Sequence, residues 1–336
     1  MKTTCKIQLL GLHSKAMKKI ICLFLLIWFV SLHMYSPFVV AGEGVPIKGK
    51  IVFYSNRHHG KLGLHLYDGN RVKFLAPEWG FSTWFKDGQR ILVLAVDHAY
   101  IINLQGKVLE TIETGISSLK PRLLFDESGF AFVGTKREMS RDGKVLSGID
   151  NLYIYFFKDK SIVNITSFDE EGSIFGFDTS PVNDWIAFNW LKKIPIDPKT
   201  NKILNLELLK NKAYLLNLKT HEKRYIGEDF RNLQWTPDGK KLFYETSTKN
   251  GKIIERWSGL FSFDSETKTS TCIHEPFTSL GFRFSPDGKK IIYSNWYANG
   301  IYMFILDLET KKIDQVLPVK EINGEGINDN YPDWHE

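Results

Sequence analysis

A decapeptide that occurs twice constrains this chain more than any other feature. Phe284–Tyr293 reads FSPDGKKIIY, and residues 235–244 read WTPDGKKLFY. Both run from an aromatic residue through a Pro-Asp-Gly turn and two lysines into a short apolar strand. A supersecondary unit of this size cannot bury its apolar face alone, so repetition predicts like units packed on one another. Weaker copies follow at Trp84–Leu94 (WFKDGQRILVL), Phe125–Phe132 (FDESGFAF) and Ser180–Phe188 (SPVNDWIAF). In the last of these Asn183 stands for the turn glycine, since Asn tolerates the left-handed conformation.

The two ends complete the pattern. Lys48–Tyr54 (KGKIVFY) is the second half of a copy, and Tyr331–Glu336 (YPDWHE) is the first half of one. The turn glycine or its equivalent falls at 49, 88, 129, 183, 239 and 288, spaced by 39, 41, 54, 56 and 49 residues. These are lengths that a four-stranded propeller blade requires. A second signature, strand–polar turn–strand, recurs six times, at 64–74, 100–109, 152–163, 214–225, 260–271 and 302–313. Each unit therefore holds two hairpins with Asp/Asn/Gly/Lys turns. The expected fold is all-β: a six-bladed β-propeller of four-stranded antiparallel blades. One blade is shared between the termini, so that no sheet edge stays open. Trp84, Phe125, Trp235, Phe284 and Trp334 are expected in the core. An aromatic content of 14% suits such packing.

Residues 1–41 differ from the rest. Lys18 and Lys19 precede an apolar run from Ile20 to Val30, and Val39-Val40-Ala41 closes it. This is the layout of a secretory signal cleaved after Ala41, with Met17 an alternative start. An uncleaved anchor is the competing reading, although eleven apolar residues fall short of a spanning helix of about 18–20. The single domain is then 42–336. Removing the leader's five lysines from the 44 basic residues leaves 39 against 38 acidic ones. That balance gives no electrostatic case for nucleic acid. Cys5 and Cys22 lie in the leader and Cys272 stands alone, so no intrachain disulfide is possible, which suits a bacterial envelope, periplasmic or secreted, better than a eukaryotic secretory route.

The turn-and-aromatic units, Ser55-Asn56-Arg57 after the first strand and the closing Tyr331-Pro332-Asp333-Trp334 resemble the WD-repeat-like propellers of the TolB type. The resemblance covers residues 48–336. It implies an exported or periplasmic protein that binds partners in the cell envelope. Residues 42–48 are too few for the α/β domain that precedes the TolB propeller, so the resemblance is to the propeller only. Related propellers precede prolyl-oligopeptidase hydrolase domains, but no G-x-S-x-G elbow occurs here.

In a four-stranded antiparallel blade, the first-to-second and third-to-fourth turns lie at one end and the other connections lie opposite. The longest connections, 136–150, 189–213 and 245–258, all fall at that opposite end, where binding residues tend to gather. The middle one carries Lys192, Lys193, Lys199, Lys202, Lys210 and Lys212. The same end is expected to display Arg57, His58, His59, Trp79, Phe81, Asp97, His98, Trp190, Trp257, Trp296 and Tyr297. An aromatic and basic rim suits a protein, peptide or glycan. A packing role stands beside each assignment: Trp190 and Trp296 share a repeat position and can pack blade on blade, and a His pair is commonly a solvated loop. The expected function is a monomeric binding or scaffold module without cofactor, catalytic residue or metal. The alternative is a propeller enzyme, a metal-assisted lyase or hydrolase on sugars or uronates, with His58, His59 and His98 at its metal.

Overall fold

The computed structural model describes residues 47–336, except 59, 78–79, 140–144, 169–171, 193–209, 250–251, 254–257, 298, 319–320 and 323–324. The expected leader, His59, Trp79 and Trp257 lie outside the described residues. Every regular element among the described residues is a strand.

The two hairpins expected in each unit form, and each unit is a four-stranded antiparallel meander. The first joins the ends of the chain, in the order Asn330–His335, Lys50–His58, Lys61–Tyr67 and Val72–Ala76. The second runs Phe81–Trp84, Arg90–Ala95, His98–Asn103 and Val108–Glu113. The third contains Ser117–Leu123, Gly129–Met139, Val145–Phe156 and Ile162–Asn164. The fourth contains Phe177–Thr179, Trp185–Lys192, Lys212–Asn217 and Lys223–Glu228. The fifth and sixth begin at Arg231–Trp235 and Phe282–Phe284.

The result is an all-β propeller that differs in detail from six separate blades. Four meanders are separate four-stranded sheets, whereas the third and fourth belong to one nine-stranded sheet. The link is Gly172–Ser173, which pairs parallel with Ile149 on one side and antiparallel with Leu191 and Lys192 on the other. The strands Gly129–Met139 and Val145–Phe156 stay paired far past the blade. Much of the connection expected at 136–150 is therefore ladder, and it reaches the link strand.

Closure occurs where the repeat pattern places it. Ile51 pairs with Trp334, as Ile91 pairs with Trp84 and Ile291 with Phe284. Ile51, Phe53 and Tyr67 then pack against Ile292, Met303 and Ile305 of the last meander. The turns explain their own spelling. Gly239 and Gly288 adopt φ of +67° and +71°, and their amides donate to Thr236 and Ser285. Asp238 and Asp287 accept from the amide two residues on and from the Thr236 or Ser285 hydroxyl.

Two details of the repeat alignment are corrected. In the third meander Glu127, not Gly129, takes the left-handed turn position, at φ +55°. Leu123 therefore holds the aromatic's place, and Phe125 lies half-buried in the turn, outside the core. In the fourth, Asn183 is not left-handed; its side chain instead accepts from the Trp185 amide at 3.1 Å.

Trp334 packs on the closing cluster and its indole donates to the Lys48 carbonyl at 3.0 Å. Trp334→Ala should therefore cost about 3 kcal/mol, the low end for a buried Trp because this one is partly exposed. Urea unfolding followed by fluorescence would read it. A loss below about 0.5 kcal/mol, within the range of ordinary surface changes, would mean the termini do not hold the ring.

Candidate functional site

The innermost strands lie side by side in a cycle, each beside the inner strands of its two neighbours. Strand alternation sends successive side chains to opposite faces. The ladder pairs Trp84, Leu123, Thr179, Trp235, Phe284 and Trp334 with equivalent residues of the second strands. The residue just before each therefore faces the axis. Around the ring these are Asp333, Thr83, Arg122, Asp178, Gln234 and Arg283. The order repeats as acid, polar, arginine over two sets of three units.

The contacts repeat too. Arg122 Nε donates to Asp178 Oδ1 at 3.1 Å, and Asp178 Oδ2 accepts from the Trp235 amide at 2.9 Å. Half a ring away, Arg283 Nε lies 3.4 Å from Asp333 Oδ1, and Asp333 Oδ2 accepts from the Trp84 amide at 3.0 Å. Each acid thus clamps three successive units. Burial raises the pKa of both acids, the guanidinium of Arg122 opposing it, and Asp178 is pushed up to about 7. Gln234 Oε1 is buried with no hydrogen-bond partner.

Above this ring lies the channel mouth. Its layer is Tyr331, Phe81, Lys120, Gly176, Asn232 and Gly281, one per unit. Lys120, Asn232 and Tyr331 are left-handed, at φ +55°, +47° and +52°, where the ladder slips register. Left-handed backbone costs a non-Gly residue about 1–2 kcal/mol, and such strain persists where the surroundings over-determine it, often at functional sites.

Second strands supply the restraints. Asn189 Oδ1 accepts from the Phe175 and Gly176 amides, both at 3.0 Å, and its amide donates to the Phe230 carbonyl at 2.6 Å. Glu245, at the same repeat position, accepts from Asn232 Nδ2 at 3.0 Å and from the Ser279 hydroxyl. Burial pushes Glu245 up to about 7, against these hydrogen bonds. Lys120 Nζ donates to the Phe175 carbonyl at 2.6 Å, and desolvation with Arg122 nearby pulls it down to about 8.

The mouth encloses about 50 Å³ and is flanked by exposed aromatics. Phe175 is 48% exposed and Tyr331 39%, with Phe81 4.5 Å from the Tyr331 ring. It opens at the end reached by the second-to-third-strand connections, since second strands finish opposite inner-strand starts, as in Leu94 opposite Phe81.

The residues expected on the rim are placed differently. Among the described ones, only Phe81 lines the mouth. Arg57 does not project: its guanidinium makes a bidentate pair with fully buried Asp329, at 2.9 and 2.7 Å. His58 stacks on Phe74 at 4.3 Å, and His98 binds Asp97 at 2.7 Å. Trp190 stacks on Phe168 at 4.8 Å inside the third-to-fourth core, the packing role, and Tyr297 packs against Tyr302 and Phe304. Trp296 lies one residue before the end of the second strand of the last meander, where its backbone N–H donates to Asn295 Oδ1 at 2.8 Å. Among the described residues no three His, Cys, Asp or Glu side chains group as metal ligands.

A larger cavity, about 230 Å³, lies at the opposite, turn end between the third and fourth meanders, lined by Phe125, Trp185, Asp184 and Lys219. Its cation is already engaged, Lys219 with Asp184 at 2.8 Å, and only two units contribute. The axial mouth draws on all six, and it is the candidate site.

The axial residues were not on the expected list. Their signal was the residue before each repeat aromatic, which alternation must turn towards the axis.

No protein-family profile and no curated protein matches the sequence. Solved structures match the fold. A nidogen–laminin complex chain aligns at 11% identity with a TM-score of 0.57, covering 85% of this chain and 98% of that one. An oligogalacturonate lyase in complex with manganese aligns at 14% and 0.53, covering 84% and 79%. A putative TolB from Agrobacterium tumefaciens aligns at 14% and 0.51, covering 86% and 99%. At such identities the likeness is one of fold: a TolB-like β-propeller.

The raised carboxylates make stability pH-dependent in a known direction. Asp178 and Glu245 ionise near 4 when unfolded and near 7 when folded, so the folded state holds the extra protons in between. Their contribution is fully present below about pH 4 and is lost as pH rises towards 7. Urea midpoints should fall from pH 5 to pH 8, and Glu245→Gln should flatten that slope. An unchanged slope would place the titration elsewhere.

Proposed function

We propose that this protein is an exported, TolB-like envelope module that docks a segment of another protein over its axial mouth. The observation that carries the reading is the mouth itself. Six units converge on it, Glu245 holds left-handed Asn232 there while Asn189 fixes the Phe175–Gly176 backbone, and exposed Phe175 and Tyr331 flank it. A water needs roughly 10–15 Å³ on this measure, so about 50 Å³ admits a group of a few atoms and no sugar ring. A ligand must therefore lie across the mouth and send only a tip inside. A protein loop does this, with aromatic side chains supplying contact area. Export is supported by the leader-like pattern of residues 1–41.

The test contrasts the two ends. A photo-reactive residue in place of Phe175 is compared with one in place of exposed Lys289, in the Asp-Gly turn at the opposite end. The expected result is one discrete protein adduct from position 175 and none from 289. An adduct from 289 alone, or from neither, overturns the reading.

A further inference from the structure

We infer that the axial mouth is a receptor for a single carboxylate, carried on an acidic side chain of the docked protein segment. This rests on the docking reading above and names the chemistry of the inserted tip.

The argument begins with charge. Lys120, Arg122 and Arg283 bring three cations to the mouth, while the ring beneath offers two carboxylates, Asp178 and Asp333. Both acids are buried, and burial favours their neutral forms. The mouth therefore carries at least one uncompensated positive charge. Of the acids behind the mouth, Glu245 is turned to Asn232 and Ser279 and burial favours its neutral form as well, Asp150 is turned to Thr135 and the Ile174 amide, and Asp229 is matched by Arg231.

Geometry agrees. Arg122 and Arg283 each spend Nε on the ring and one terminal nitrogen on a neighbouring carbonyl, that of Pro121 at 2.6 Å and Phe282 at 2.9 Å. Their side chains keep 13% and 16% exposure at the mouth. Lys120 spends one of three donors on the Phe175 carbonyl. Donors thus remain on the cations, held at fixed positions by the strands. The free volume of about 50 Å³ suits three or four heavy atoms, the size of a carboxyl group with its carbon stem. Charge-assisted hydrogen bonds to such a group are the strong kind, and the low-dielectric walls strengthen them. A uronate can present the same group with its ring left outside the mouth, so sodium glucuronate is the competing probe, and glucuronate binding more tightly than the Asp peptide overturns the peptide assignment.

The test uses the full chain and two defined peptides, acetyl-Phe-Asp-Gly-amide and acetyl-Phe-Asn-Gly-amide, with sodium acetate, acetamide and inorganic phosphate as small probes. Side-chain resonances of Lys120 and the backbone amides of Trp84 and Trp235 report occupancy. Acetate and the Asp peptide should shift them saturably, and acetamide and the Asn peptide should not. Lys120→Met should weaken the Asp peptide at least about tenfold, the loss of one charged hydrogen bond, and Lys120→Arg should restore it. Equal binding of the Asp and Asn peptides, or preference for phosphate over acetate, overturns the inference. The peptide comparison on the unmodified chain stands even if a variant misfolds. The two readings fail separately: if position 175 still forms its adduct but the mouth ignores carboxylates, docking survives and this inference does not.

Discussion

A ring of sheets is stable only if its first and last strands find each other, and here that contact is the ladder between Lys50–His58 and Asn330–His335. Without it, two edges would face water with their backbone groups unpaired. With it, every inner strand gains two inner neighbours, and the axis becomes an interior. Everything at the axis follows from that enclosure. Asp333 lies in the closing strand itself, so the residue that completes the ring of side chains is delivered by the same six-residue strand that completes the ring of backbone.

The axial charges would be costly if any stood alone. Buried ion pairs contribute little net stability over apolar packing, whereas a buried charge without its partner is strongly destabilising. Asp178 and Asp333 are each met by an arginine from one side and a backbone amide from the other. Such a ring penalises any slip in the order or register of the units, because a shift of one residue would replace each charged clamp with its uncharged neighbour, Leu123, Thr179, Phe284 or Trp334. Its role is one of specification. The arrangement also leaves cations in surplus on the open side, so that structural need and binding capacity arise from the same residues.

The architecture was legible in the sequence because its cause is local. A Pro-Asp-Gly turn with a Ser or Thr before it closes its own hydrogen bonds, and the spelling survives in Thr236–Gly239 and Ser285–Gly288. Where the spelling drifted, the alignment drifted with it: Gly129 drew attention from Glu127, and Phe125 from Leu123. The site was less legible for a different reason. Neighbouring members are separated by some fifty residues and differ in residue type, so that only register relates Arg122 to Asp178 and Gln234 to Arg283. Conspicuous residues at the expected end proved to be engaged in pairing or packing within the fold. Arg57 is consumed by Asp329 and Trp190 by Phe168. Unpaired chemistry at the axis is carried by residues that look ordinary in the chain.

The two-residue strand Gly172–Ser173 changes how the ring can deform. Joined through it, the third and fourth meanders share a continuous ladder and must tilt together, while other neighbours are coupled mainly by side-chain packing. Lys120 and Phe175 belong to that welded pair, and Asn232, Arg283 and Tyr331 to the separate sheets opposite. Thermal breathing of the annulus is therefore lopsided: one jaw acts as an anvil, and adjustment to a bound object falls to the other.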